Sequence, residues 1–504
     1  MSSEKERSPA GVGGVYHEMK RPHNLQHSKK QRDRGPIDRI SALPDEILIA
    51  ILDGVDAKTA VSTSLLSRGW RYLWTSLHSL RLSDVSFPAN YRSWIRLGPM
   101  SKDYLKSNKI SHFVPSLRWF ARRIKKGDTD LRRLSLVSSG DARSAAAVNS
   151  AICSAAVQGV KDIAVAVVGK TEYKFPLCLF SYGDSSSSSS SLDSLWLNNC
   201  KISVSLVFEG FSALRKLVLV AMRMSVTDTE VLVRSCRSLK SLYLIDMVDA
   251  RVVKHPGLEE LVWLWPHPYS ALTIDAPALR TLEYCGAGEV LPASTRKSLP
   301  CLEHVSLQYV VYGDHHDRHA KNLRAIANRF PHVKSLHLRY QVPKFVVKPG
   351  TPAVFSKLRA LTLSIDTKPS DDLFWMVMFV AAAPYLATLQ TNVRYLSFLE
   401  SLNGVPNGVE WDVSNFEHNS LNEVEMYNFK GRDNQIDFAR LLLQRDPSMR
   451  RIAFSHTRPP DEAVYDQCIP PDWPKAQEFS PRDNRSVLSR LLEGVSSGAR
   501  VVYM

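Results

Sequence analysis

Three closely spaced histidines are the first candidates for chemistry in this sequence. His315, His316 and His319 lie in the segment GDHHDRH, and the first and last of them are four residues apart. On a helix these two would share one face and could ligate a metal ion. No second helix rich in carboxylates and no obvious fourth ligand accompanies them, which favours a solvated loop or the start of a helix. We therefore predict no metal site and no cofactor.

The seven cysteines are scattered rather than grouped. They occupy positions 153, 178, 200, 236, 285, 301 and 468. This odd set without close pairs fits neither a zinc site nor the disulfide framework of a secreted protein, and it is typical of a reducing compartment. The polar N-terminus is unlike a secretory signal, and no run of about 18 apolar residues indicates a membrane span. We expect nuclear or cytoplasmic residence, and the sequence does not decide between the two.

Motifs of the common enzyme classes are missing from the sequence. It contains no P-loop, no dinucleotide-binding fingerprint and no G-x-S-x-G nucleophile elbow. None of the cysteines stands in a recognisable catalytic context. We therefore predict a protein that is not an enzyme and that acts by binding other macromolecules.

The formal net charge of +15 is concentrated in two stretches. Residues 96–133 hold eleven Lys or Arg against three acids, and residues 20–34 hold six against one. The composition of residues 1–36 predicts a mobile tail, whose basic pairs form either a nuclear import signal or a solvated surface. Within residues 96–133, basic residues surround Trp119 and Phe120. This segment is either a nucleic-acid-binding patch or, in the interpretation that we prefer, a linker helix that packs its aromatic rings inward.

Three short helices are predicted near the N-terminus. Pro44 is suited to a helix start, and the apolar residues of one helix face follow it. These residues are Ile47, Leu48, Ile51, Leu52 and Val55. Asp56 and Ser67 can cap a second and a third helix, and Trp70 and Leu73 share a face of the third. A module this small buries little surface alone and usually depends on a partner.

From residue 131 onward a short apolar signature, L-x-x-L-x-L, recurs along the chain. Another apolar residue replaces leucine in some copies. Copies start at residues 131, 192, 214, 239, 258, 279, 302, 333 and 358, and looser ones start at 421 and 449. From the second copy to the ninth the spacing is 19 to 31 residues. This range surrounds the period of roughly 20–29 residues that is typical of a leucine-rich repeat.

The end of each signature alternates as a β-strand does, so its leucines face inward and the residue between the last two faces outward. The outward residues are Ser135, Trp196, Val218, Tyr243, Val262, Glu283, Ser306, His337 and Thr362. No single repeat can cover its leucines, so several must stack into a continuous core. The outward face is chemically mixed and suited to a macromolecular target. The target-binding residues that we predict on it are Trp196, Tyr243, Glu283 and His337.

Two further segments interrupt and close the array of repeats. The serine run 185–191 predicts a loop insertion, with a phosphorylation platform as the less favoured alternative. Residues 457–504 open with several prolines and are expected to form a C-terminal cap. Within this cap we predict a helix over 485–493, which Gly494 ends, and a last strand near Val501.

The N-terminal module resembles the F-box of plant F-box/leucine-rich-repeat proteins. The resemblance lies in the segments LPDEILIAIL (43–52), AV (60–61) and LLSRGWRYLW (65–74). The segment LNEVEMYNFKGRDNQIDFARLLLQRDPSMRRIAF (421–454) is similar to the FBD-type segment found near the end of many such proteins. Family members often carry proline in place of Asp56 and a basic residue in place of Gly69, so this sequence departs from the pattern at these two positions.

The resemblance implies a fold and an order of domains. The implied fold is an α plus α/β solenoid, in which a small three-helix F-box precedes an irregular leucine-rich-repeat array. The expected units are a basic tail (1–36), the F-box (37–82), a basic linker region (83–130), the repeat solenoid (131–456, with the FBD-like segment at about 414–456) and the C-terminal cap (457–504).

The resemblance also implies that the F-box binds a Skp-type adaptor, which joins it to a cullin scaffold. Carried over by motif position, the adaptor-binding residues are Leu43, Pro44, Ile47, Leu48, Ile51, Leu52, Leu65, Trp70 and Leu73. Some of them are expected to serve in the module's own core instead. The target and any small-molecule co-ligand are not readable from the repeats. The predicted function is that of the substrate-recognition subunit of an SCF-type cullin ubiquitin ligase. The alternatives are an F-box/repeat scaffold outside any ligase and a basic nucleic-acid-associated protein.

Overall fold

A computed structural model gives the fold of most of the chain. It describes residues 39–83, 113–125, 130–138, 140–167, 173–176, 192–204, 211–247, 252–264, 273–287, 299–310, 326–341, 355–367, 372–395, 413–457, 459 and 481–504. The histidine segment 313–319, the serine run 185–191 and the basic tail 1–36 lie outside the described residues, as do Cys178 and Cys468. The predictions made for these segments therefore stay predictions.

The N-terminal module begins with two α-helices, α1 (Asp45–Leu52) and α2 (Ala57–Ser62). Pro44 occupies the cap position of α1, one residue before the helical start that we predicted for it. The predicted cap of α2 is confirmed, because the Asp56 carboxylate accepts the backbone N–H of Thr59 at 2.9 Å. A short 3-10 turn, Thr63–Leu65, follows α2 directly.

The third helical element of the module is a 3-10 helix, Trp70–Ser76, and not the α-helix that we expected. Its cap is Gly69 instead of Ser67, and no side chain bonds to it there. Residues three apart eclipse each other in a 3-10 helix. Trp70 and Leu73 are therefore still on one face, and both are buried.

Fifteen strands form one continuous parallel sheet in the order of the chain. They are β1 Ser79–Ser83, β2 Arg133–Ser138, β3 Asp162–Val167, β5 Ser194–Asn198, β7 Lys216–Val220, β8 Ser241–Ile245, β10 Glu260–Leu264, β12 Thr281–Ala287, β13 His304–Val310, β14 Ser335–Gln341, β15 Ala360–Thr367, β16 Thr388–Tyr395, β17 Glu423–Tyr427, β18 Arg451–Phe454 and β19 Arg500–Tyr503. Two small parallel pairs accompany the sheet: β4 Tyr173–Lys174 with β6 Cys200–Lys201, and β9 Val252–Lys254 with β11 Thr273–Asp275. A strand lies at every predicted copy of the signature.

Helices lie beside the inward face of the sheet. They are α3 Phe113–Lys125, α4 Ala142–Val157, α5 Val226–Ser235, α6 Val377–Ala381 (after a 3-10 turn, Phe374–Met376), α7 Asp433–Arg445 and α8 Pro481–Leu492. Helix α3 packs on α4 and β1, and α8 packs on α7. The predicted C-terminal helix is confirmed but starts earlier than expected, and Gly494 follows it with a positive φ of 68°. Within the described ranges, no helix is both long and apolar enough to cross a bilayer.

The register of the sheet is fixed by one recurring hydrogen-bond pattern. The carbonyl oxygen of Arg132, just before β2, accepts the N–H groups of Lys161 and Asp162 at the start of β3, both at 3.0 Å. The carbonyl of Lys161 then accepts those of Asp193 and Ser194, at 2.8 and 3.0 Å. This two-to-one pattern recurs at each pairing up to that of β17 with β18. Each strand therefore starts level with the one before it.

The same register aligns the leucines of the signature in rows. In consecutive strands Leu195, Leu217 and Leu242 are direct neighbours, and each is fully buried. These rows belong to one hydrophobic core that runs from Ala57 to Leu491. At roughly 1.5–3 kcal/mol for each buried aliphatic side chain, the core is the main stabilising contribution to the array.

A left-handed residue directly follows several strands. Asn199, Ala221, Asp246 and Asn428 have φ of 52°, 49°, 51° and 50°. Asparagine and aspartate tolerate this conformation because their short polar side chains bond locally, whereas for alanine it costs roughly 1–2 kcal/mol. Of these four residues, Ala221 is therefore the one whose backbone is strained.

We expect the substitution Ala221→Asn to raise the free energy of unfolding by about 1 kcal/mol, because asparagine relieves the left-handed strain. Equilibrium unfolding in urea measures the change. The matched control is Ala146→Asn on the exposed face of α4, where the same substitution should lower stability by about 0.6 kcal/mol. Equal effects at the two sites would contradict the assignment of strain to Ala221.

Candidate functional site

The nine predicted adaptor-binding residues divide into a buried and an exposed group. Four are buried in the core of the N-terminal module, together with Ala60 and Leu77: Leu48, Leu52, Trp70 and Leu73. The other five are exposed: Leu43, Pro44, Ile47, Ile51 and Leu65. The apolar face predicted for α1 is thus really two faces, one packed inside the module and one open to solvent.

Five of the exposed apolar residues of the module define the surface that we call the F-box apolar surface: Ile47, Ile51, Leu65, Leu66 and Tyr72. The exposed fractions of Ile47, Ile51 and Leu65 are 49%, 48% and 88%. Single exposed apolar side chains are ordinary, but several on one small module mark an interaction site. Sequence reasoning missed Leu66 and Tyr72, although both lie inside the motif that carried the resemblance.

One carboxylate joins the N-terminal module to the sheet. Asp53, at the end of α1, accepts the backbone N–H groups of His78 and Ser79 with the same oxygen, both at 2.9 Å. Its other oxygen lies 3.1 Å from Nδ1 of His78. In later strands the equivalent two N–H groups are accepted by the carbonyl of the preceding repeat. Asp53 therefore supplies to β1 the acceptor that a preceding repeat would have supplied.

Helix α3 reinforces this junction with aromatic contacts. The Trp119 ring lies 5.4 Å from that of Trp74 in the module and 4.9 Å from that of Phe120, measured between ring centroids. The guanidinium of Arg123 sits 5.1 Å above the Trp119 ring. The buried side of the helix faces the core through Leu117. These contacts match the linker-helix interpretation in part, because Phe120 is half-buried and both rings contact Trp74, whereas Trp119 keeps an exposed fraction of 40%.

The four predicted target-binding residues lie in one row on the outward face. Adjacent strands pair Trp196 with Val218 and then Tyr243, and further along the same row follow Glu283 and His337. Each of the four is partly accessible. Strand register thus brings together residues that are 141 positions apart in sequence.

The outward face has an apolar half and a polar half. The apolar half is a second hydrophobic cluster, separate from the core, which we call the outward apolar cluster: Val218, Val220, Ile245, Val262, Leu264 and Cys285, with Trp196 and Tyr243 packed against them. In the polar half, Nε2 of His337 lies 3.0 Å from Oγ of Ser364. Further along, Gln390 donates to Glu425 at 3.0 Å and accepts from Thr362 at 3.1 Å.

Glu283 stands where the two halves meet. Burial raises its pKa to about 7, and the nearby charge of Glu260 acts in the same direction. Glu260 accepts the Tyr243 hydroxyl at 2.9 Å. Among the residues that the structure describes, none forms a hydrogen bond or an ion pair with Glu283. A partly buried carboxylate without a partner is unfavourable, and such groups concentrate at functional sites.

The buried thiols of the repeats have little nucleophilic character. Burial raises the pKa of Cys200 to about 12 and that of Cys236 to about 11. Both therefore stay protonated near neutral pH, and the thiolate is the reactive form. No group of three or more His, Cys, Asp or Glu residues suited to a metal ion occurs within the described part of the chain.

Two domain families match this chain. The family model described as "At1g61320/AtMIF1, LRR domain" matches residues 125–477, well over half of the sequence. The F-box domain model matches residues 40–82. The first of these ranges contains strands β2 to β18, and the second contains the N-terminal module with its apolar surface.

Several proteins of Arabidopsis thaliana are similar to the chain. The FBD-associated F-box protein At4g10400 is 56% identical over 51 residues, which is 10% of this chain and 12% of that protein. The F-box/LRR-repeat protein At5g02910 is 54% identical over 46 residues, 9% of this chain and 10% of the relative. An F-box/LRR-repeat protein, At3g59230, is 25% identical over 275 residues, 51% of this chain and 52% of the relative. The matched part of the chain thus spans about half the length of these relatives, or less.

We expect Asp53→Ala to lower the free energy of unfolding by about 1–3 kcal/mol, because it leaves two backbone N–H groups at the start of β1 without their acceptor. Asp53→Asn is the matched control, since its amide oxygen can accept both N–H groups in the same way. Urea unfolding gives the free energies, and hydrogen exchange at residues 78–83 locates the effect. Similar losses for both variants would mean that charge, and not the shared acceptor, holds the junction.

We expect stability to fall more steeply with rising pH in the wild type than in Glu283→Gln. The raised pKa means that the folded chain keeps a proton on Glu283 up to about pH 7, whereas the unfolded chain releases it in the ordinary range near 4. Folding therefore loses stability across that window. Melting temperatures between pH 5 and 8 measure the difference, and parallel curves would contradict it. Glu260 on β10, whose charge also raises the pKa of Glu283, is unchanged in the comparison, and so are His304 on β13 and His337 and Arg339 on β14.

Proposed function

The chain belongs to the plant F-box/leucine-rich-repeat family, and we propose on that basis that it is the substrate-recognition subunit of an SCF-type cullin ubiquitin ligase. In this proposal the F-box binds a Skp-type adaptor, which links it to a cullin scaffold. The repeats hold a target protein. The observation that carries the proposal is the F-box apolar surface, which remains exposed although the module has a complete core of its own.

The adaptor-binding role rests on the exposed group of α1 and the turn after α2. Leu48 and Leu52 supply the internal packing of α1, so Ile47 and Ile51 are not needed for it. Leu65 is nearly as accessible as a free side chain. Covering apolar surface by a partner contributes roughly 25 cal/mol per Å². We therefore assign adaptor binding to Leu43, Pro44, Ile47, Ile51 and Leu65, and a supporting role to the four buried residues.

We further propose that the parallel sheet and its helices form a leucine-rich-repeat solenoid. Sheet order that follows chain order, with each strand hydrogen-bonded to the strands next to it in sequence along the sheet, supports this arrangement. The FBD-like segment, about 414–456, would form its last repeats before the cap, whose strand β19 ends the sheet. Support comes from His418, which lies 3.0 Å from Asp446 through Nδ1 and 3.0 Å from the Ala383 carbonyl through Nε2, and so ties the segment to the preceding repeat.

In the proposed role the chain supplies position and not chemistry. A target held on the repeats presents its lysines to a ubiquitin-carrying enzyme on the same scaffold, so the encounter becomes nearly intramolecular. This role requires residence in the nucleus, the cytoplasm or both. It also requires a stiff link between F-box and repeats, which the Asp53 junction and the contacts of Trp119 support.

Two other functions give different outcomes in simple assays. A scaffold outside any ligase would bind the adaptor and a partner without turnover of that partner. A nucleic-acid-associated protein would bind nucleic acid with an affinity that falls steeply with salt. Arg118 and Arg122 are exposed on α3 and are the described residues best placed for that role.

We expect purified Skp adaptor to bind the wild-type chain, and Ile47→Asp with Ile51→Asp to weaken binding by about thirtyfold or more, as for loss of a buried hot spot. The double variant Leu43→Ala, Pro44→Ala changes the two residues at the start of the F-box motif, and we expect it to lose adaptor binding as well. Isothermal titration calorimetry gives the affinities. The matched control is Val157→Asp on α4, since Val157 has an exposed fraction of 76% but lies outside the F-box.

Circular dichroism checks that each of these variants keeps its fold. Wild-type affinity in the Ile47, Ile51 variant would remove the F-box apolar surface from the adaptor interface. Failure of the wild type to bind any Skp-type adaptor would overturn the proposed ligase role.

A further inference from the structure

The outward acids of the repeats are in two different situations. Glu425 accepts hydrogen bonds from Arg451 at 2.9 Å and from Gln390 and Tyr427 at 3.0 Å. Asp366 is buried and accepts two bonds from Arg394, both at 2.6 Å. These two acids of the polar half are therefore already paired within the protein and have little left to offer a cation from outside.

Among the described residues, no lysine or arginine forms an ion pair with Glu283 or Glu260, in contrast to those two acids. The cations and imidazoles nearest in the register are His304 on β13, His337 and Arg339 on β14, and Lys216 on β7, which stacks on the Tyr243 ring at 4.5 Å. Glu260 has the Tyr243 hydroxyl as its hydrogen-bond donor. Among the described residues, Glu283 has none. Two neighbouring carboxylates at the edge of an apolar surface form a negative spot that a cation from outside would neutralise.

The surface beside these two carboxylates consists of aliphatic and aromatic side chains. Val262 is the direct register neighbour of Glu283, and Tyr243 follows on the next strand. Trp196 lies beyond, with Val218 between. An aromatic and aliphatic surface of this kind takes apolar side chains, and partly shielded carboxylates take Lys or Arg through charge-assisted bonds. The negative sign disfavours phosphate groups, and so phosphopeptides and nucleic acid, in spite of the positive net charge of the whole chain.

We infer that the outward face from β5 to β12 is the docking site for a target segment that presents a lysine or arginine side chain to Glu283 and Glu260 and apolar side chains to Trp196, Tyr243 and Val262. The inference rests on the proposed function, since it names the class of target that the repeats hold. It makes Glu283 the residue that determines specificity for a basic target and the outward apolar cluster the source of most of the contact area.

The inference is tested with short fluorescein-labelled peptides added to the full-length chain. Each peptide carries Leu and Phe on both sides of one central residue, which is Lys, Arg, Gln or Glu. Fluorescence anisotropy measures the affinities. We expect the Lys and Arg peptides to bind, and Glu283→Gln to weaken them by about tenfold or more, as for removal of one partner of a shielded charge pair. Glu283→Lys should lose the Lys peptide and gain the Glu peptide.

The control variant is Glu423→Gln, which makes the same chemical change at an exposed outward position of β17 and should leave all affinities unchanged. A series with Ser in place of Leu and Phe tests the apolar part, and it should bind at least about tenfold more weakly. Equal binding of all four central residues, or no response to Glu283→Lys in a variant that melts like the wild type, would overturn the inference. Adaptor binding is measured on the same preparations. If it persists while the peptides fail, the docking inference falls and the proposed ligase role does not.

Discussion

The sharing of one acceptor oxygen by two backbone N–H groups is the interaction on which the rest of the structure depends. It sets each strand level with the preceding one, so that all inward leucines fall in rows and all outward residues in others. Parallel strands buried on one face tolerate no slip by a single residue, because a slip would exchange the two faces. At the first strand the pattern continues with a carboxylate, since Asp53 accepts the N–H groups of both His78 and Ser79. The F-box is in this sense the unit that precedes the first repeat.

This continuity couples the two ends of the proposed function. An F-box attached by a flexible linker would present the target to the ligase scaffold in many orientations. The effective concentration of the target's lysines near the ubiquitin-carrying enzyme would then be lower. Here the end of α1 bonds to the start of β1, and the side chain of Arg81 within β1 donates to the carbonyl of Gly54 at 3.3 Å. The Trp74 ring of the F-box also contacts the Trp119 ring of α3. The F-box and the repeats are therefore joined by hydrogen bonds and packed rings, which would fix the orientation of a bound target relative to the F-box apolar surface.

Sequence periodicity predicted most of the sheet but missed three of its strands, for identifiable reasons. The missed signatures are Leu77–Leu82, Val160–Val165 and Leu386–Thr391. The first matches the pattern fully. It lies within residues assigned to the F-box, and the same residues were not expected to form a strand of the repeats as well. The second has only β-branched residues, and the third ends in threonine. Similarly, amphipathicity predicted one apolar face for α1, because periodicity cannot distinguish residues that pack inside a module from those that stay exposed for a partner.

The chemistry of the outward face follows from register and not from local sequence. Glu425 and Glu283 look equivalent in sequence, since each sits between the last two apolar residues of a signature. Glu425 has Arg451 in a strand 26 residues away, whereas the register neighbours of Glu283 are Val262 and Ser306. Burial and the charge of Glu260 then raise the pKa of Glu283 to about 7. Repeats that share one signature can thus build a neutralised patch at one end of the face and, in the middle, a carboxylate that has no hydrogen-bond donor among the described residues. In the proposed function that difference would give the face its selectivity, because the core pattern is the same in every repeat.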